Sequence, residues 1–222
     1  MVKIKPELKN RLDLKKTTLR QLFSHLEREK DHKITSNYEE KLQSMVYIQM
    51  RLPIEKLTKE FEDSIKKKIE TNIYQAKIRE ATEKDLEIVT EIYNKSWLTS
   101  NTPFRPIDKE TLKTIFHHPD TIFLIARVYG IDGGFVILDL EGESKEYGII
   151  AGLGIIPRFQ RKGLGTVLGL ASWSYLKEKG IKELRCEVYK DNQASYQFIK
   201  GLQFEEFGEK TYRKEDFELG GN

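Results

Sequence analysis

The stretch "IIPRFQRKGLGTVLGLASW", Ile155 to Trp173, decides how this chain is read. An apolar segment ends at Ile156, and three cations, Arg158, Arg161 and Lys162, then gather around Gly163 and Gly165. Beyond them Leu164, Val167, Leu168, Ala171 and Tyr175 recur at helical spacing. A strand that hands over to a helix through glycines can hold an anion. The first N–H groups of a helix lack intrahelical acceptors and sit at the positive end of the macrodipole. Glycines let the backbone approach a phosphate closely, and the cations add charge around it. An ordinary strand-to-helix turn with solvated charges is the other reading. Two familiar phosphate motifs do not fit: Lys162 precedes Gly163 with no glycine in the Walker position, and "GLGIIP" puts proline where the dinucleotide fingerprint needs its third glycine.

Working outward, "YGIIAGLGII" reads as a strand in which Ile149, Ala151, Leu153 and Ile155 alternate with glycines and another isoleucine. "KELRCEVY" reads as a strand, "NQASYQFIKGL" as a helix, and "FEEFGEKTYRKEDFEL" as one or two closing strands. Upstream, "AKIRE" is a short strand, and Thr82 with Asp85 three residues on forms a capping-box start for a helix lined by Leu86, Val89, Ile92 and Tyr93. "TLKTIFHH" is a helix stopped by Pro119, and "TIFLIARVYGIDGGFVILDLEGES" predicts two strands around a turn at "GIDGG". This order predicts an α+β fold, a mixed and mostly antiparallel sheet flanked by helices.

Residues 1–74 read differently, as an all-helical extension followed by the main domain at 75–222. Leu8, Leu12, Leu19, Leu22, Phe23 and Leu26 make one apolar stripe. Ser36 or Asn37 could cap a second helix presenting Tyr38, Leu42, Met45 and Val46, and Leu57, Phe61, Ile65 and Ile69 step by four after Pro53. The expected use of this module is packing on the main domain or on a second copy in a homodimer.

Composition narrows the function classes. The 222 residues carry a net charge of +3, one cysteine (Cys186) and four histidines without ligand spacing. An internal disulfide is excluded, and no metal centre is expected. No apolar run is long enough to span a bilayer, and the N-terminus lacks an apolar signal core, so a cytoplasmic protein is expected, without a membrane partner. The basic clusters "SIKKKIE" and "RFQRK" are short and lack interleaved aromatics, which argues against nucleic acid as a partner.

The segment from Gly152 to Phe204 resembles the acyl-CoA-binding core of the Gcn5-related N-acetyltransferase (GNAT) superfamily. Its loop pattern is matched by Gln160, Gly163 and Gly165, with Pro157 before it, Asn192 after the next strand and Phe204 twelve residues later. "IREATEKDLEIVTEIYNKSW" resembles the first strand and helix of that fold, so the resemblance spans about residues 76–219. It implies an N-acetyltransferase using acetyl-CoA as co-substrate. The backbone of Arg161, Lys162, Gly163, Leu164, Gly165 and Thr166 would hold the pyrophosphate, and Leu153, Gly154 and Ile155 would offer backbone to the pantetheine arm and the oxyanion. Asn192 would bind the arm or the loop, although a helix cap explains it as well.

The same resemblance leaves the chemistry incomplete. A tyrosine that commonly serves as proton donor would fall at Ile199, and Gln203 stands where a glycine is usual. Tyr196, one turn earlier, is the substitute donor, offset by about 60° around the helix. Glu187, with Glu146 behind it, is the candidate base. Asn94, Trp97 and Phe104 are the candidates for contacting the acceptor, a small-molecule or polypeptide amine. The rival reading is a non-catalytic acyl-CoA sensor or regulator whose helical module binds DNA or a protein.

Overall fold

Val46, Ile48, Met50 and Leu52 alternate with Tyr47, Gln49 and Arg51, the period of a half-buried strand. In the computed structural model, which describes residues 44–72, 76–100 and 107–213, this segment is strand β1, Ser44–Pro53. The expected helix through Met45 and Val46 is therefore corrected. Pairing in a sheet lets Met50 and Leu52 go fully inside while the polar neighbours stay on the other face. The expected Leu8 to Leu26 helix, the cap at Ser36 or Asn37, and Phe104 lie outside the described residues.

A 3-10 turn, Ile54–Lys56, leads into α1, Lys59–Asn72, which carries the expected Phe61, Ile65 and Ile69. There follow β2 (Ala76–Glu80), α2 (Leu86–Trp97), α3 (Lys109–Phe116), β3 (Thr121–Val128) and β4 (Ile131–Glu141). The chain continues through β5 (Tyr147–Ile155), α4 (Leu164–Lys177), β6 (Glu183–Tyr189), α5 (Gln193–Gly201) and β7 (Glu205–Arg213). The β3–β4 turn falls at Tyr129 and Gly130, both at positive φ, so of "GIDGG" only its first residue turns and the rest belongs to β4. Gly133 and Gly134 lie within β4, where an added Cβ would strike Phe159 and crowd Leu168 respectively.

Among the described residues one seven-stranded sheet runs β2-β3-β4-β5-β6-β1-β7. The segment ahead of β2 thus supplies the strand between β6 and β7. Close contacts divide the chain into residues 1–46 with 211–222, and residues 47–210, so residues 47–72 group with the strands that come after them. Within the larger unit, Leu124, Ala126, Val136, Leu138, Leu184, Cys186 and Val188 face Leu164, Leu168, Leu176 and Ile199 of α4 and α5. The opposite faces of β3 and β4 bury Phe123, Ile125, Phe135 and Ile137 on the side of α2 and α3. α1 joins the first layer: Trp173 Nε1 and Lys177 Nζ each donate to Glu62 at 3.2 Å.

Entry to α2 is pinned by one carboxylate. Asp85 accepts two guanidinium bonds from Arg79 (2.8 and 2.7 Å) and two from Thr82, through its N–H and hydroxyl, at 2.8 Å each. The Arg79 guanidinium holds the Asp85 carboxyl well below the usual carboxylate range, with the Thr82 donors helping against partial burial. A carboxyl depressed in the folded state stabilises it above the unfolded value of about 4, and the contribution fades as pH falls below that.

Two outcomes are expected. Removing residues 1–74 takes away the strand shared by β6 and β7, so that truncation should lose the cooperative thermal unfolding of the full chain, read by circular dichroism. Asp85→Asn should lower stability by about 2 kcal/mol near neutral pH, with the gap to wild type closing below about pH 4 in denaturant titrations.

Candidate active site

The site begins where β5 loses a neighbour. β4 pairs with β5 along its length, but the parallel ladder to β6 runs from Tyr147 opposite Glu183 only to Ile149 opposite Arg185. β5 then continues to Ile155 and β6 to Tyr189, where β6 pairs with β1 instead. From Ala151 to Ile155 the β5 backbone that points away from β4 has no partner strand. The result is a V-shaped opening between β5 and β6.

A bulge sets its shape. Ile137 faces Gly152 and Leu138 faces Ile150, so Ala151 is the extra residue. Gly148 and Gly154 are six apart and would share a face in a regular strand. Instead a Cβ on Gly148 would meet Leu176 of α4 at 2.6 Å, whereas one on Gly154 would strike Phe135 and Ser96 of α2. The bulge turns the last residues of β5 over, and the glycine at 154 lets Phe135 and Ser96 lie against the strand.

The turn to α4 is built from packing and two left-handed residues. Ile156 N–H donates to the Gly133 carbonyl at 3.0 Å, and Pro157–Phe159 forms a 3-10 turn with Phe159 buried. Arg161 (φ 58°) and Gly163 (φ 79°) are both left-handed. The first is uncommon for a side chain of that size and strains the backbone by about 1 kcal/mol. Gly163 is the N-cap of α4, whose ladder begins with Val167 N–H donating to the Gly163 carbonyl at 3.1 Å. The N–H groups of Leu164, Gly165 and Thr166 therefore emerge from the helix end without intrahelical acceptors. Two left-handed residues leading into a helix N-terminus give a concave backbone of the kind that suits an anion. Arg158, Arg161 and Lys162 are exposed around it.

Several expected residues have other duties. Gly165 faces Phe198 (3.1 Å to an added Cβ) and Ile155, so its small size serves the contact of α4 with α5. Gln160 turns inward: its Nε2 donates to the Ile155 carbonyl at 2.8 Å and to Thr99 Oγ1 at 2.9 Å, tying the loop to the end of β5 and the end of α2. Thr99 carries no sequence signal for that role. Asn192 is a buried helix cap, its Oδ1 accepting from Ser195 N–H at 3.1 Å.

On the chemical side, Ile199 is buried in the core. Tyr196 donates its hydroxyl to Glu206 of β7, and that carboxylate pushes the phenol pKa up. Glu187 is exposed on β6 and accepts from Gln49 Nε2 at 3.2 Å. Glu146 instead turns back to the Ser144 N–H at 2.9 Å, in the turn before β5. Cys186 is buried, and desolvation raises its thiol pKa, as suits a core residue. Asn94 spends both ends of its amide on Ile107, donating to the carbonyl at 3.0 Å and accepting from the N–H at 2.9 Å. Trp97 stacks on Tyr93 with ring centroids 4.4 Å apart. The first contact ties α2 to the approach to α3, and the second braces the last turns of α2. Among the described residues no group of three or more histidine, cysteine, aspartate or glutamate side chains sits together as metal ligands would.

Because Arg161 is strained, Arg161→Gly separates two effects. Thermal stability should hold or rise by up to about 1 kcal/mol, while affinity for an anion at the loop, inorganic pyrophosphate for instance, should fall through loss of the cation.

Comparison with known proteins gives a consistent picture. A stretch of 67 residues is 37% identical to the mycothiol acetyltransferase of Rhodococcus erythropolis, over 30% of this chain and 22% of that protein. An uncharacterized N-acetyltransferase of Methanocaldococcus jannaschii is 27% identical over 136 residues, 58% of this chain and 60% of that one. The chain thus spans less than two thirds of the length of either relative. The PaiA N-acetyltransferase of Thermoplasma acidophilum, solved in complex with coenzyme A, has the same fold with a TM-score of 0.52 at 23% identity, over 57% of this chain and 87% of that one. The ribosomal-protein-S18-alanine N-acetyltransferase of Escherichia coli matches with a TM-score of 0.52 at 20% identity, over 60% and 80%. The model of the acetyltransferase (GNAT) family matches residues 86–204, from the start of α2 through the parting of β5 and β6 to Phe204, and the chain belongs to that family.

Proposed function

We propose that this protein is an acyl-CoA-dependent N-acetyltransferase that moves the acetyl group of acetyl-CoA to a primary amine by direct attack on the thioester. The observation that carries the reading is the parting of β5 from β6 beside the α4 N-terminus. That arrangement offers unpaired strand backbone to an amide-bearing arm and a concave backbone to its pyrophosphate. The residues fit such a ligand: Leu153, Gly154 and Ile155 present main-chain groups along the opening, and Arg161 to Thr166 form the anion cradle.

Acetyl-CoA supplies an activated acyl carbon, whose bond to sulfur breaks as the amine nitrogen bonds to it. A free alkylamine is mostly protonated near neutral pH and must lose a proton before it attacks. Glu187, on the stretch of β6 that has parted from β5, is the carboxylate best situated to receive that proton through water. Backbone N–H groups in the Leu153 to Ile155 segment stabilise the oxyanion as charge develops on the carbonyl oxygen. Tyr196 is a poor donor for the departing thiolate. Its hydroxyl proton is already engaged by Glu206, whose carboxylate pushes the phenol pKa up and so holds that proton back from the thiolate. We therefore assign Tyr196 a structural bond to β7, and the thiolate takes its proton from solvent.

Isothermal titration with acetyl-CoA tests the reading directly; no heat of binding at millimolar ligand would overturn it. Gly163→Asp should weaken binding by tenfold or more, on the order of 1.4 kcal/mol, because it adds bulk and negative charge at the cradle. Gly163→Asn tolerates the left-handed conformation nearly as well and lacks the charge, so it should bind better than Asp at this position. Release of free thiol in the presence of amines separates an enzyme from an acyl-CoA sensor. Tyr196→Phe should keep kcat within about threefold of wild type, less than the effect of removing a general acid.

A further inference from the structure

The free edge of β5 ends in a carbonyl that is already in use. The register that sets Ile155 opposite Gly134 continues to Ile156 and Gly133, and Ile156 N–H donates to the Gly133 carbonyl at 3.0 Å. In an antiparallel ladder, a residue bonded to its opposite number alternates with one whose groups turn away from that strand. Ile155 and, two residues back, Leu153 therefore aim their N–H and carbonyl groups away from β4 and into the opening. Of these groups, the Ile155 carbonyl accepts from Gln160 Nε2 at 2.8 Å.

Gln160 is held in that pose from outside the loop. The other proton of its Nε2 goes to Thr99 Oγ1 at 2.9 Å. The Thr99 hydroxyl passes its own proton to the Ser96 carbonyl at 3.0 Å, a closer acceptor than Gln160 Oε1 at 3.4 Å. Each donor in this relay has its own acceptor, so the amide can hold one orientation. The Ser96 hydroxyl donates to the Tyr93 carbonyl at 2.9 Å and lies against Gly154. Two side chains 61 residues apart thus join the end of α2, the end of β5 and the start of the loop.

An amide-bearing arm that adds to this edge needs a carbonyl to accept its N–H. Leu153 and Ile155 would offer two, about 7 Å apart, the rise of two strand residues, and hence two registers. A slip of that size would carry a thioester away from the N–H groups that stabilise its oxyanion, where a misplacement of about 1 Å already costs about a hundredfold. With the Ile155 carbonyl closed, the Leu153 carbonyl and the N–H groups of Leu153 and Ile155 remain. We propose that Gln160 and Thr99 are positioning residues for the acyl-CoA arm, closing the second register and holding the end of β5 in the pose the arm needs. The inference rests on the acetyltransferase reading and adds what fixes the arm along the strand. Gln160 acts through β5, and Thr99 acts through Gln160. Holding the strand end in advance spares the arm the cost of ordering it.

The test uses the full chain and two ligands, acetyl-CoA and ADP, the second sharing the pyrophosphate and lacking the arm. Gln160→Met keeps the length of the side chain and loses the donor. It should bind acetyl-CoA about fivefold more weakly than wild type, the weight of one hydrogen bond, and ADP within about twofold. Thr99→Val should weaken acetyl-CoA binding in the same direction by about twofold or more, and Thr99→Ser, which keeps the hydroxyl, should restore it. A loosened cradle or a damaged fold would weaken both ligands together and leave the ratio of their affinities unchanged. An unchanged ratio in Gln160→Met and Thr99→Val would overturn the inference while leaving the acetyltransferase reading intact. Thr99→Ser as weak as Thr99→Val would also overturn it. Failure of wild type to bind acetyl-CoA would instead remove the reading on which it rests.

Discussion

A sheet satisfies its backbone by pairing, and β5 is paired along one side only. Beyond Ile149 its outer N–H and carbonyl groups face an opening instead of β6. Unpaired backbone groups shielded from water destabilise a fold by an amount comparable to lost hydrogen bonds, so such a strand either meets solvent or meets a ligand. Much of the surrounding structure keeps that strand in place. The bulge at Ala151 rotates its end, Gly154 lets Phe135 and Ser96 press on it, and Gln160 closes the last carbonyl at Ile155. The α4 N-terminus can then face the end of the opening at a fixed position.

The glycine-rich turn into α4 was legible in the chain because its parts are local. Glycines, cations and the onset of helical spacing all fall within a dozen residues, and the structure adds only the left-handed turn at Arg161 and Gly163. Thr82 with Asp85 was legible for the same reason. That the end of β5 would offer free backbone was implied by family resemblance alone, since a ladder's end depends on residues far apart in sequence. Gly165 shows the limit of reading single residues. It sits in the cradle motif, yet its missing side chain is accounted for by Phe198 on another helix.

β1 is the clearest miss, and the signal was present. Seven residues from Val46 to Leu52 alternate apolar and polar without a break. The helical spacing read on either side and the scarcity of glycine favoured a four-then-three spacing through Tyr38, Leu42 and Met45. In the acceptor region, Asn94 and Trp97 looked available because their side chains can bind substrates. Instead they hold Ile107 and Tyr93. Type and position reveal what a side chain could do, while its partners decide what it does. Ile199 obeys the same rule: its apolar side chain fills the core where a phenol would need a polar outlet.

The placement of β1 also bears on how the chain reaches this state. Gln49 and Glu187, joined by a hydrogen bond, lie 138 residues apart in sequence. At a synthesis rate of about 5–20 residues per second, β1 emerges on the order of ten seconds before β6 exists to receive it. Pairings of such separation close slowly, because the loop entropy must be overcome before the contacts form. The strand made first among those described is therefore locked in near the end. The opening beside β6 takes its final form only after β6 itself has left the ribosome.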